Sequence, residues 1–120
     1  MATHDLKIRT KDFALQTIQF LESLPKDRTV DVISRQLLRS STSVGANYRA
    51  ATRAKSRPDF ISKMGTVEEE VDECIYWFEL LEESKKINNG KLNLLKREAT
   101  ELLAITISSI KTARRNKQKS

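Results

Sequence analysis

The stretch FISKMGTVEEEVDECIYWFELL, residues 60–81, decides the fold. Phe60, Met64, Val67, Val71, Cys74, Phe78 and Leu81 follow one another at spacings of 4, 3, 4, 3, 4 and 3. That alternation holds an apolar seam on one face of an α-helix along the whole stretch, whereas a strand would repeat every second residue. Just upstream, Ser56-Arg57-Pro58-Asp59 reads as a helix start: a serine cap, a proline in the first turn, and an acid near the positive end of the helix dipole. The spacing predicts a helix over about 57–86.

Working outward, Val30, Ile33, Leu37, Ser40, Val44, Asn47 and Ala51 repeat the same pattern and predict a helix over about 30–55. Phe13, Ala14, Ile18, Leu21 and Leu24 precede it and stop at Pro25. With Thr10 as N-cap and Asp12 in the first turn, they predict a helix over 10–24. Downstream, Asn88-Asn89-Gly90 reads as a turn. Leu92, Leu95, Ala99, Leu102, Leu103, Ile107 and Ile110 then predict a helix over 91–113. Four amphipathic helices with short joints pack as an antiparallel up-down-up-down bundle, an all-α fold. Residues 1–113 form that domain in this reading, and 114–120 a flexible basic tail.

Composition agrees. With 120 residues, only 3 glycines and 2 prolines, the chain lacks the turn signals of a small β-sandwich. The single cysteine, Cys74, excludes an internal disulfide and on the seam reads as a buried thiol. The opening MATHDLKIRTKD has no apolar core of a secretory leader. The apolar run Ile75-Tyr76-Trp77-Phe78 is far short of the ~20 residues of a membrane span. A cytoplasmic protein without membrane contact is the expectation.

The net charge of +6 favours an anionic partner, and the charges are sorted along the chain. Between Val32 and Pro58 lie Arg35, Arg39, Arg49, Arg53, Lys55 and Arg57, with no acid. Between Val67 and Ser84 lie eight acids and no base; the tail adds Lys111, Arg114, Arg115, Lys117 and Lys119. On a helical wheel Arg35, Arg39, Arg49 and Arg53 oppose the apolar stripe and form a ridge roughly 27 Å long. Arginine suits bidentate pairing with phosphate or carboxylate. The ridge therefore has three readings: a docking face for nucleic-acid phosphates, a contact with the acidic helix of a neighbouring subunit, or a solvated face. Arg114 and Arg115 extend the nucleic-acid reading to the tail. The ridge carries no aromatics for base stacking, which predicts little sequence specificity.

On the third helix Leu80 falls about opposite the seam, with Tyr76 and Trp77 on the same far side. Scattered exposed apolar groups are ordinary, but Trp and Tyr are enriched at interfaces, and the oligomer is preferred. Asn47, on the seam amid small residues, reads as a packing and register device.

Chemistry is scarce. His4 is the lone imidazole, so Cys74 has no base beside it and no Glu-x-x-His di-metal bundle can form. There is no glycine-rich phosphate loop. Glu69-Glu70-Val71-Asp72-Glu73 resembles the Glu-Glu-x-x-Glu element of all-α nucleotide pyrophosphohydrolases, which hold magnesium with carboxylates. Glu98-Ala99-Thr100-Glu101 only approximates their second element. No catalytic residue, metal, cofactor or small-molecule substrate is expected.

The run QLLRSSTSVGANYRAATRAKSRPDFISKM, residues 36–64, resembles the bacterial four-helix-bundle proteins encoded within intervening sequences of large-subunit ribosomal RNA genes. Leu37, Leu38, Arg39, Ser40, Ser43, Asn47, Arg53, Ser56, Asp59 and Phe60 carry the resemblance. Asp5-Leu6, Phe13-Ala14 and Leu24-Pro25-Lys26 upstream, the glutamate-rich helix and Ile107-Ile110-Lys111 extend it over nearly the whole chain. The resemblance implies a homopentameric bundle related to the accessory variability proteins of diversity-generating retroelements. Those are basic pentamers that bind nucleic acid and a reverse transcriptase. Tyr48-Arg49-Ala50-Ala51 stands where many members have Ile-Ala-Glu-Gly, so this chain loses an acid and gains a base. The combined expectation is a non-enzymatic homo-oligomer that binds RNA or DNA through phosphate contacts. The alternative is a protein-interaction scaffold whose basic face pairs with acidic surfaces, and a remoter one is the magnesium-dependent pyrophosphohydrolase.

Overall fold

The starts of three helices are each fixed by a short polar side chain. Asp27 lies in extended backbone, and its carboxylate accepts from the N–H groups of Thr29 and Val30 at 2.9 and 3.0 Å. Ser56 accepts from the Asp59 N–H at 3.1 Å, with Pro58 in the first turn as expected. Asn89 accepts from the Lys91 N–H at 2.8 Å. These caps satisfy N–H groups that a helix start otherwise leaves without partners. In the computed structural model, which describes the backbone of residues 3–119 and the side chains of residues 6–116, the elements are α1 (Thr3–Glu22), α2 (Arg28–Ala51), α3 (Arg57–Glu83) and α4 (Gly90–Lys119). No strand occurs among the described residues. The side chains of His4, Asp5, Lys117 and Lys119 lie outside them.

Consecutive helices run antiparallel, and α1 closes the ring against α4, leaving α1 diagonal to α3. The result is the up-down-up-down bundle, 53 × 20 × 19 Å. Its seam on α3 is as expected, with Met64, Val67, Val71, Cys74, Phe78 and Leu81 buried and Phe60 half-buried. Phe78 is the hub: the Phe13 ring stands edge-on to it at 6.3 Å and the Phe20 ring lies at 6.5 Å. A fully buried side chain of this kind contributes roughly 1.5–3 kcal/mol. The Cys74 Sγ reaches Ser40 Oγ at 3.4 Å, and burial pushes the thiol up to about 12, so it is a packing group rather than a nucleophile.

Four expectations are corrected. The first helix starts at Thr3, not near residue 10, and Thr10 is no cap. Thr10 and Thr17 are buried seam residues whose hydroxyls donate to the carbonyls of Leu6 and Phe13 at 2.7 and 2.8 Å. The α1 seam is thus Leu6, Thr10, Phe13, Thr17 and Phe20, while Ala14, Ile18, Leu21 and Leu24 flank it half-buried. On α2 the seam position belongs to Tyr48, which is buried, not to Asn47, which is half-buried and donates back to the Ser43 carbonyl at 2.8 Å. The α3–α4 joint spans residues 84–89: Lys85, left-handed at φ 61°, turns the chain out of α3 ahead of Asn88 and Asn89, and Gly90 already belongs to α4. Finally, Arg114 and Arg115 lie on α4 itself, which runs on to Lys119 where a flexible tail was expected.

Candidate nucleic-acid interface

The arginine ridge divides in two once α2 is docked on α3. Arg35 and Arg49 are exposed on the face of α2 away from its core stripe, and Arg53 is exposed in the turn just past its end. Arg39 leans across to α3, where its guanidinium pairs with Glu73 and stands 3.8 Å from Glu70. Trp77 Nε1 donates to the same Glu73 carboxylate at 3.2 Å. The acid that answers the ridge is therefore on the same chain, because the antiparallel α2–α3 register brings position 39 level with position 73. Contact with the acidic helix of a neighbouring subunit is one of the three readings of the ridge; Arg39 meets those acids within its own chain. Burial, then the charge of Glu73, raises the Glu70 carboxyl. Glu70 Oε2 has no hydrogen bond among the described residues.

Other cations are likewise spent between helices. Arg9 donates to both carboxylate oxygens of Glu98 at 3.0 and 2.5 Å, tying α1 to α4, and lies 3.6 Å from Glu101. Lys96 reaches Glu82 at 2.9 Å, tying α4 to α3. Lys86 reaches Asp27 at 2.8 Å, tying the α3–α4 joint to the start of α2.

One end of the bundle is different. Up-down-up-down topology places the end of α2, the start of α3 and the end of α4 together. Arg49, Arg53, Lys55 and Arg57 thereby share that end with Arg114 and Arg115, all exposed. The acid in the α2–α3 corner, Asp59, is already engaged. It accepts from Lys63 Nζ at 2.5 Å and from the Lys55 N–H at 3.0 Å, and these contacts hold its carboxyl below the usual range. Among the described residues, Arg49, Arg53, Arg114 and Arg115 have no ion pair. Beside this end a groove of about 720 Å³ opens between α1, α3 and α4. Leu6, Phe60 and Ile105 wall it, and Arg57 and Asn116 reach it. The basic residues were legible in the sequence, but the groove was not, because its lining comes from three helices far apart in sequence.

The acidic run is drawn into packing rather than into a cluster. Glu70 and Glu73 face Arg39, and both carboxylates of the Glu98/Glu101 pair face Arg9. Among the described residues no three His, Cys, Asp or Glu side chains converge as a metal site would need. Of the proposed interface group, Tyr76 is 53% exposed and stands edge-on to Trp77 at 5.0 Å. Trp77 and Leu80, placed by the helical wheel on the far side of α3, are half-buried and packed against the core. No described helix is long and apolar enough to cross a membrane.

Comparison with known proteins agrees with this architecture. A crystal structure of a protein of unknown function from the S23 ribosomal protein family of Bacteroides thetaiotaomicron superposes with a TM-score of 0.84 at 35% identity. The match covers 92% of this chain and 99% of that one. Among curated proteins, none matches. The sequence pattern of the 23S rRNA-intervening sequence proteins extends over residues 4–108, and the chain belongs to that family.

Proposed function

We propose that this protein is a non-catalytic, homo-oligomeric nucleic-acid-binding bundle whose contact surface is the basic end rather than the whole ridge. The observation that carries the reading is the gathering of Arg49, Arg53, Lys55, Arg57, Arg114 and Arg115 at one end. Elsewhere, most cations facing a neighbouring helix meet a carboxylate of the same chain. The guanidinium groups of Arg49, Arg53, Arg114 and Arg115, without an ion pair among the described residues, are ready to replace the counterions of phosphates. Assembly is supported by the exposed Tyr76 ring, with Trp77 and Leu80 beside it; a ring of five copies follows from the family resemblance.

Affinity for RNA or DNA falls steeply as salt rises, since phosphate contacts release counterions. Charge reversal by Arg49→Glu with Arg53→Glu weakens binding strongly while the melting temperature stays close to that of the parent. Light scattering after size exclusion, with and without nuclease treatment, reports subunit count and co-purifying nucleic acid together. Binding indifferent to salt, or to both reversals, overturns the reading.

A further inference from the structure

The groove beside the basic end has two kinds of lining. Leu6, Phe60 and Ile105 give it apolar walls, one of them an aromatic ring. Ser108, Ser109 and Thr112 add hydroxyls along the α4 side. Those hydroxyls differ from the ones that are turned back onto their own helices. Thr10, Thr17, Thr100 and Thr106 each donate to a carbonyl one turn earlier. Among the described residues, Ser108, Ser109 and Thr112 make no hydrogen bond, so both their donors and their acceptors are open.

The opening has a structural cause. Arg9 meets Glu98 across the antiparallel α1–α4 pair. At equal rise per residue, α4 is level with the start of α1 near Ala104. Beyond that point the flank of α4 that faced α1 continues as Ile105, Ser109 and Thr112, which line the groove.

We infer that this groove receives an unstacked nucleobase, so that the ligand of the basic end is a single strand rather than a duplex. The inference rests on the nucleic-acid reading above and deepens it. A base is apolar on its faces and polar along its edges. The Phe60 and Ile105 walls suit the faces, and the three open hydroxyls suit an edge. The surrounding cations suit the phosphates on either side: Arg57 at the groove, with Arg53 and Arg114 on the same end. Bases stacked within a duplex cannot enter without being extruded.

The test is fluorescence anisotropy on the full chain with a labelled single-stranded RNA, the DNA strand of the same sequence, and the DNA duplex. The single strands bind more tightly than the duplex. Phe60→Leu keeps apolar bulk at the start of α3 but removes the ring, and weakens single-strand binding by about tenfold, the scale of one stacked base. Thr112→Leu, on an exposed position, fills the groove and deletes a hydroxyl without touching the core; it weakens the same ligands. Duplex affinity is unchanged in both variants. Loss with either the RNA or the DNA strand supports the inference. Equal losses on single strand and duplex overturn it, as does wild-type binding by both variants, and in that last case the phosphate reading stands. Absence of any nucleic-acid binding overturns both.

Discussion

Gly45 and Gly65 occupy the interiors of two helices, yet they meet different surroundings. A Cβ on Gly65 would meet nothing within 4 Å. A Cβ on Gly45 would lie 3.3 Å from Thr10 Oγ1 and 3.5 Å from the Thr10 backbone, where α1 comes close to α2. The Thr10 side chain is pinned by its bond to the Leu6 carbonyl and cannot swing away cheaply. Alanine relieves the unfolded-state entropy of glycine at both sites. Gly65→Ala therefore stabilises the protein by about 0.5–1 kcal/mol, whereas Gly45→Ala forfeits that gain to crowding and comes out neutral or destabilising. Paired thermal melts decide it; a stabilised Gly45→Ala would show that the helices can separate without cost. The same residues explain a limit of sequence reading. Thr10 looks like a cap because threonine is polar, but returning its hydroxyl to its own helix leaves only its methyl to face the core. Nothing in the one-letter code distinguishes those two uses.

Among the elements, α3 was most legible because cap, proline and heptad seam all agree. α1 was least legible because two of its five seam residues are threonines. Tyr48 over Asn47 is a similar case: a phase shift of one residue moves the stripe by a third of a turn, and only packing against α1 and α3 chooses the larger ring. The start of α2 was placed within two residues, and its cap carries a consequence for pH. Lys86, then the Val30 N–H, holds the Asp27 carboxyl below the ordinary aspartate range. A folded-state value below the unfolded one means the interaction stabilises the fold above the ordinary carboxylate range and is lost as pH falls through the depressed value. Asp27→Asn keeps a capping oxygen but not the charge. The variant is expected to melt below the parent at neutral pH, with the gap closing in acid. Melting curves from neutral pH downward check this, and a gap constant with pH would remove Lys86 from the account.

On the scale of the molecule, the net charge of +6 matters less than where the pairing stops. Along the barrel of the bundle, α1–α4, α2–α3 and α3–α4 each carry their own ion pairs, so much of the positive charge is already answered. At the α2–α3 end Arg49, Arg53, Arg114 and Arg115 have no ion pair among the described residues, and that contrast needed the topology, since Arg53 and Arg114 are far apart in sequence. It also separates two surfaces that a charge count merges. Arg35 sits on the exposed side of α2 well back from the end; Arg53 sits at the corner. Each phosphate contact removed flattens the dependence of log affinity on log salt by about 0.9 for duplex DNA and about 0.7 for a single strand. Arg53→Gln is therefore expected to reduce the slope by roughly that amount per subunit engaged, and Arg35→Gln to leave it unchanged. Titrations at several salt concentrations give both slopes directly. If Arg35→Gln flattens the slope and Arg53→Gln does not, nucleic acid lies along the flank of α2 instead, and the basic end loses its claim.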